Sequence, residues 1–160
     1  MTRILGVDPG LRKTGWGIID SQGQSLKYVA CGTIKPNPDL PLGERLTHLH
    51  NALQSIIAEH APDCAALEET FVNKSGQSTL KLGQARGALL LSLSIAGLEV
   101  AEYAPTLIKK SITGVGRADK NQMGMMVGTL LPQAKAELAK AGEDALDALA
   151  VAICRSHMER

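Results

Sequence analysis

Four acidic residues, Asp8, Glu68, Asp144 and Asp147, stand where a carboxylate is locally out of place. Asp8 ends the apolar run Ile4-Leu5-Gly6-Val7 and is followed at once by Pro9-Gly10. Glu68 ends a second apolar run, Cys64-Ala65-Ala66-Leu67. Asp144 and Asp147 open a stretch reaching Cys154 that is otherwise apolar. Carboxylates at strand ends and on an apolar helix are costly unless something compensates them. A shared divalent cation would do so, and oxygen ligands without histidine or cysteine suit magnesium. Two such ions about 4 Å apart can clamp the attacking and leaving oxygens of a phosphodiester displacement.

Each acid also has a plainer reading. Asp followed by Pro-Gly is common turn chemistry. Glu69 beside Glu68 leaves open which of the two turns inward. Asp144 could serve a helix N-terminus as cap or dipole partner. Asp147 is harder to dismiss, because Ala145, Leu146, Ala148, Leu149, Ala150 and Val151 surround it. It follows Asp144 by three residues, which puts both carboxylates on one helix face.

Cations and one aromatic flank these acids. Lys74, Lys81 and Arg86, then Lys109, Lys110, Arg117 and Lys120, supply local positive charge. Net charge is only +1, so a nucleic-acid surface would have to be local. Phe71, the single phenylalanine, lies just beyond Glu68. It reads either as an anchor tucking its loop onto the core or as a platform on which a base stacks.

The elements that must position these groups follow from pattern and punctuation. Arg3 to Asp8, Trp16 to Asp20 and Leu26 to Ile34 read as three strands of an antiparallel meander. Leu42, Leu46, Leu49, Leu53, Ile56 and Ile57 recur at helical spacing, predicting a helix from Leu42 to Glu59. Cys64 to Glu68 is short and apolar, as a buried parallel strand is. A helix over Thr79 to Ala96, with small residues Gly83, Ala85, Gly87 and Ala88, precedes a fifth strand over Glu99 to Tyr103. Helices from Pro105 to Ile112, Asp119 to Leu131 and Glu143 to His157 complete the chain. This order predicts an α/β fold, a mixed five-stranded sheet flanked by helices. Asp8 and Glu68 would share one sheet edge if the first and fourth strands are neighbours.

The 160 residues suffice for a single domain spanning residues 1–160. With only four aromatics among its 44% hydrophobic residues, the core must be aliphatic. Cys31, Cys64 and Cys154 form no CxxC pair and read as buried thiols in a reducing cytoplasm. His48, His50, His60 and His157 show no zinc spacing and are expected on helix surfaces. The opening residues lack a signal-peptide pattern, and Gly87 to Leu98 is too short to span a bilayer.

GVDPGLRKTGWGIID, ALEETF, LKLGQARG, GVGRADK and EDALDALAVAI occur in that order over nearly the whole chain. Together they resemble the RuvC family of bacterial Holliday junction resolvases. The resemblance implies an RNase H-like fold and a homodimer that nicks two opposing strands of a four-way DNA junction with magnesium or manganese. It implies catalytic acids at Asp8, Glu68, Asp144 and Asp147, and selects Glu68 over Glu69. An aromatic that stacks near the crossover falls on Phe71, and two basic residues near the site fall on Lys109 and Lys120. Partnership with RuvA and RuvB and a thymine pair beside the cut are further implications. Other classes would be a ribonuclease of the same fold acting on RNA–DNA hybrids, a junction-binding module without catalysis, and an actin-like ATPase. The last needs two such domains around its nucleotide, more than this length supplies.

Overall fold

A computed structural model describes residues 1–69 and 76–159. Strands β1 (Thr2–Asp8), β2 (Thr14–Gln22), β3 (Ser25–Ile34), β4 (Cys64–Glu68) and β5 (Glu99–Tyr103) form one sheet in the order β3-β2-β1-β4-β5. The meander β1-β2-β3 is antiparallel, whereas β1, β4 and β5 run parallel. Helices α1 (Leu42–His60) and α2 (Gly76–Ile95) cover one face. The other face carries α3 (Pro105–Thr113), α4 (Lys120–Leu130) and α6 (Glu143–Met158).

Strand alternation divides the core in two. Leu5, Val7, Ala65 and Leu67 pack toward α1 and α2. Ile4, Cys64 and Ala66 pack toward α6 and its neighbours. The same alternation turns Asp8 and Glu68, not Glu69, toward the α6 face.

Strand and helix assignments from pattern hold, with shifted ends. Helix α2 starts at Gly76 rather than Thr79, and Asp119 stands outside α4 as its N-cap. A 3-10 turn, Pro132–Ala134, and a short helix α5, Lys135–Ala141, fill the segment after Pro132, which pattern left without an element. Both are too brief to show a hydrophobic period. The histidines depart from expectation: only His48 is exposed. His50 Nδ1 lies 2.7 Å from Ser92 Oγ, His157 Nδ1 lies 3.0 Å from Ser111 Oγ, and the His60 ring sits 5.7 Å from Trp16. Cys64 and Cys154 are buried thiols and Cys31 is half-buried. Among the described residues no helix is long and apolar enough to cross a membrane.

Helix α6 lies directly on the central strands because three glycines make room for it. A Cβ on Gly6 would sit 2.1 Å from the Ala148 carbonyl oxygen, and one on Gly17 2.6 Å from Leu149 Cδ2. On Gly15 it would sit 1.9 Å from the carbonyl oxygen of Asp144 itself. By contrast, a Cβ on Gly83 or Gly87 of α2 would meet nothing within 4 Å. The small residues that allow close approach are therefore on β1 and β2. Gly15→Ala should cost about 1–3 kcal/mol by overpacking, lowering Tm by roughly 2–12 °C for a chain of this size. Gly43→Ala on α1, where a Cβ would also meet nothing within 4 Å, should leave Tm unchanged or raise it, since it only improves helix propensity. Thermal melts of the two variants check this; equal Tm values would show that α6 does not depend on the glycine seat.

Candidate active site

Parallel pairing of β1 with β4 sets Val7 opposite Leu67, so Asp8 and Glu68 emerge side by side at the carboxyl ends of adjacent strands. Across the antiparallel pair Asp8 faces Gly15, the residue on which the Asp144 backbone rests. Asp144 lies in the first turn of α6, and Asp147 follows one turn later on the same side. Gly142 caps α6 without any side-chain cap, so Asp144 is not the N-cap. Two strand ends and one helix thus bring all four predicted acids to one place.

Their mutual influence is electrostatic. Asp8 is pushed well above the usual carboxylate range, first by burial, then by a hydrogen bond to Glu68 and the charges of Glu68, Asp144 and Glu143. Glu68 is also raised by burial and by Asp147, while the bond from Asp8 and the charge of Lys109 act in the opposite direction. Burial and the neighbouring charges thus favour a proton shared by Asp8 and Glu68, with Asp8 as donor. Asp147 is pushed up to about 7, mainly by burial and then by Asp8, Glu143 and Asp144. Like charges crowded in a poorly solvated place need protons or a cation. Among the described residues no three His, Cys, Asp or Glu side chains are already arranged around an ion position. The all-oxygen donor set and its excess negative charge nonetheless fit a hard divalent cation.

A cleft of about 660 Å³ opens beside these acids, with Glu68, Lys109, Lys120, Glu143 and Asp147 on its wall. Asp119 closes a reciprocal capping box with Gln122, both backbone bonds at 2.9 Å, and so fixes the first turn of α4 where Lys120 begins. Lys120 pairs with Glu143 across the cleft mouth. Glu143 escaped the sequence reading because an acid in a first helical turn is ordinary dipole chemistry.

The other predicted contacts are dispersed. Phe71 and Lys74 lie outside the described residues. Arg117 is exposed on the loop before α4, and Lys81 is exposed on the α1–α2 side of the sheet. Arg86 does not present a free charge, because it is ion-paired with Glu102 on β5. Its sequence context, on a helix beside other cations, gave no sign of that partner.

A mixed sheet in the order β3-β2-β1-β4-β5, with carboxylates at the ends of β1 and β4 and on the helix crossing them, defines an RNase H-like nuclease. The chain matches the family described as crossover junction endodeoxyribonuclease RuvC over residues 4–155 and belongs to that family. It is 58% identical over 157 residues to the crossover junction endodeoxyribonuclease RuvC of Azorhizobium caulinodans, covering 98% of this chain and 90% of that one. The structure of T. thermophilus RuvC in complex with a Holliday junction substrate superposes with a TM-score of 0.89 at 27% identity. That match covers 100% of this chain and 96% of the other. The yeast mitochondrial Holliday junction resolvase shares the fold, with a TM-score of 0.74 at 12% identity over 98% of this chain and 78% of that one.

The raised carboxyls make a signed prediction for the protein in metal-free buffer. An aspartate in the unfolded chain ionises near pH 4, whereas Asp147 in the folded chain does so only near 7. The folded state then binds the extra proton, so its stability falls as pH rises across that window. Asp147→Asn removes this titration. The Tm difference between wild type and variant should move in favour of the variant from pH 4 to pH 8. Parallel pH profiles would show that Asp147 is not held protonated.

Proposed function

We propose that this protein resolves four-way DNA junctions by paired, metal-dependent nicks in opposing strands, in homologous recombination and DNA repair. The observation that carries the reading is the meeting of Asp8, Glu68, Asp144 and Asp147 on one face, in a chain that matches the RuvC family over residues 4–155. In this reading those four carboxylates hold two magnesium ions, with manganese able to substitute. When bound, the ions supply a nucleophilic hydroxide at neutral pH and charge stabilisation at the scissile phosphate.

The chain's own groups do the rest. Asp8, on the central strand between the other contributors, would be one of the carboxylates that hold the ions. Binding must displace the proton held by Asp8 and Glu68, so affinity for the ions should rise with pH. Lys120 stands at the cleft mouth and Lys109 beside Glu68, where each can neutralise substrate phosphate. Arg117 adds an exposed charge on the loop before α4, Lys81 carries one on the α1–α2 side, and Lys74 is read with them from its place in the sequence beside the acids. Phe71 is assigned to stack on an opened base at the crossover, worth roughly 1–3 kcal/mol. Arg86, already neutralised by Glu102, is left out of the DNA surface. RuvA and RuvB are proposed as partners on family membership.

Paired nicks need two sites, which supports a symmetric dimer. Helix α2 offers a surface for it. Leu80, Leu91 and Ile95 are 63%, 60% and 64% exposed, and open space lies over Gly83 and Gly87 along the same helix. Exposed apolar side chains flanking glycines allow two backbones to approach closely, and such a patch marks an interaction surface. Leu91→Glu should convert the dimer to a monomer in sedimentation at micromolar concentration and uncouple the two nicks. A wild-type monomer, with or without junction, would defeat the dimer.

The decisive test runs cleavage assays in parallel on a synthetic four-way junction and an RNA–DNA hybrid. Wild type should cut the junction. Asp8→Asn, Glu68→Gln, Asp144→Asn and Asp147→Asn should each lose at least about a hundredfold in rate, the scale of removing one charge-stabilising group, while still binding DNA. Glu69→Gln should be mild, because its side chain turns to the other side of β4. Cleavage of the hybrid alone would replace the resolvase reading by a ribonuclease one. Near-normal turnover by any acid variant would remove that residue from the site.

A further inference from the structure

A second depression, of about 400 Å³, lies on the α1–α2 side of the sheet, away from the catalytic cleft. Among the described residues Leu11, Arg12, Pro38, Arg45, Ser78, Lys81 and Leu82 form its wall, three cations and no carboxylate. Arg12 and Lys81 are exposed and Arg45 is half-buried. Among the described residues none of the three cations belongs to an ion pair. Arg45 keeps its Nε buried without a hydrogen-bond partner. Arg45 thus lines the depression with a guanidinium that makes no ion pair among the described residues, and an anion there would take charge-assisted bonds from it.

The position of this depression gives it a ligand. Arg12 follows Asp8 by four residues, so their Cα atoms are at most about 14 Å apart. Lys81 sits in the early turns of α2, the first described element after Glu68. The turn after β1 and the early turns of α2 therefore supply part of its wall, on the opposite face of the sheet from α6. We propose that Arg12, Arg45 and Lys81 form a phosphate seat that holds the DNA backbone of a junction arm outside the catalytic cleft. The seat rests on the junction-resolving reading and adds to it a second point of attachment. A strand fixed both here and at the acids cannot slide along the cleft, so the seat sets which phosphodiester lies over the carboxylates. Arginine suits that task because its planar fork grips a phosphate in two bonds, where lysine offers a point charge.

The experiment measures binding of a synthetic four-way junction in EDTA, so that cleavage does not enter. Affinities are taken across sodium chloride concentrations for wild type, Arg12→Gln/Arg45→Gln and Arg12→Gln/Lys81→Gln. Each lost phosphate contact should flatten the slope of log affinity against log salt by about 0.9, so each double variant should lose up to about 1.8. The Arg12→Gln/Lys81→Gln variant changes only exposed side chains, and so keeps the test valid if loss of Arg45 disturbs α1. Junctions carrying single methylphosphonates along one arm locate the contact. One or two positions should weaken wild type several-fold and leave a double variant unaffected. Unchanged slopes and affinities in both variants, with a wild type that binds and cuts junctions, would overturn the seat alone. A wild type that does not bind the junction would overturn the resolvase reading and the seat with it. Methylphosphonate effects identical in wild type and variants would also overturn the seat.

Discussion

The backbone of α6 rests against the backbone of β1 and β2, and the arrangement of the catalytic face depends on that contact. Gly6, Gly15 and Gly17 are the reason it is possible, since any side chain there would occupy the space of the helix. The helix answers with Ala145, Ala148 and Ala152, all fully buried. Small residues on both partners bring Asp144 and Asp147 close over Asp8. A larger pair of facing residues would hold the helix at the ordinary spacing of side-chain packing and leave the carboxylates too far apart to affect one another. The upward displacement of Asp8 and Asp147 is thus a consequence of backbone packing as much as of residue type.

Crowding of this kind stores electrostatic free energy that a cation can release. The protein tolerates it because the acids lie at strand ends and in a first helical turn, beside a cleft, where protons can compensate. It is also bounded by cations. Lys109 lowers the cost of ionising Glu68, and Lys120 is held near Asp147 by its pair with Glu143. That pair is exposed, so it is worth little as a stabilising bond. Its value lies in keeping an ammonium group at the cleft mouth while leaving it free to exchange its partner for a phosphate.

Much of this was legible in the sequence because the strands are short, apolar and sharply ended. The runs before Asp8 and Glu68 marked the strands and put an acid at each strand end, and the three-residue spacing of Asp144 and Asp147 fixed their common face. Local pattern left Glu68 and Glu69 open and the resemblance selected Glu68, in agreement with strand alternation, which turns Glu68 to α6. What was not legible depended on distant pairing. The role of Gly15 requires knowing that β2 lies under α6, and the loss of Arg86 to Glu102 requires knowing that α2 crosses β5. Gly83 and Gly87 look like packing residues in one dimension, yet they face open space. The partly buried histidines were missed for the same reason, since Ser92 and Ser111 are far away in sequence.

The other end of α6 shows how the site is kept in register. Arg155 is 3% exposed, and its guanidinium donates to the carbonyl of Ala65 at 2.7 Å and to the carbonyl and carboxylate of Glu99 at 3.2 and 3.0 Å. Glu159 accepts a further bond at 2.6 Å, one turn along the same helix. A buried arginine is tolerated only when its donors are met, and here two strands and its own helix meet them. It ties the last turns of α6 to β4 and β5, while the glycines seat the first turns on β1 and β2. The helix is therefore fixed at one end by steric fit and at the other by hydrogen bonds. Sliding it by one residue would break both at once, and only in this register do Asp144 and Asp147 face the ends of β1 and β4.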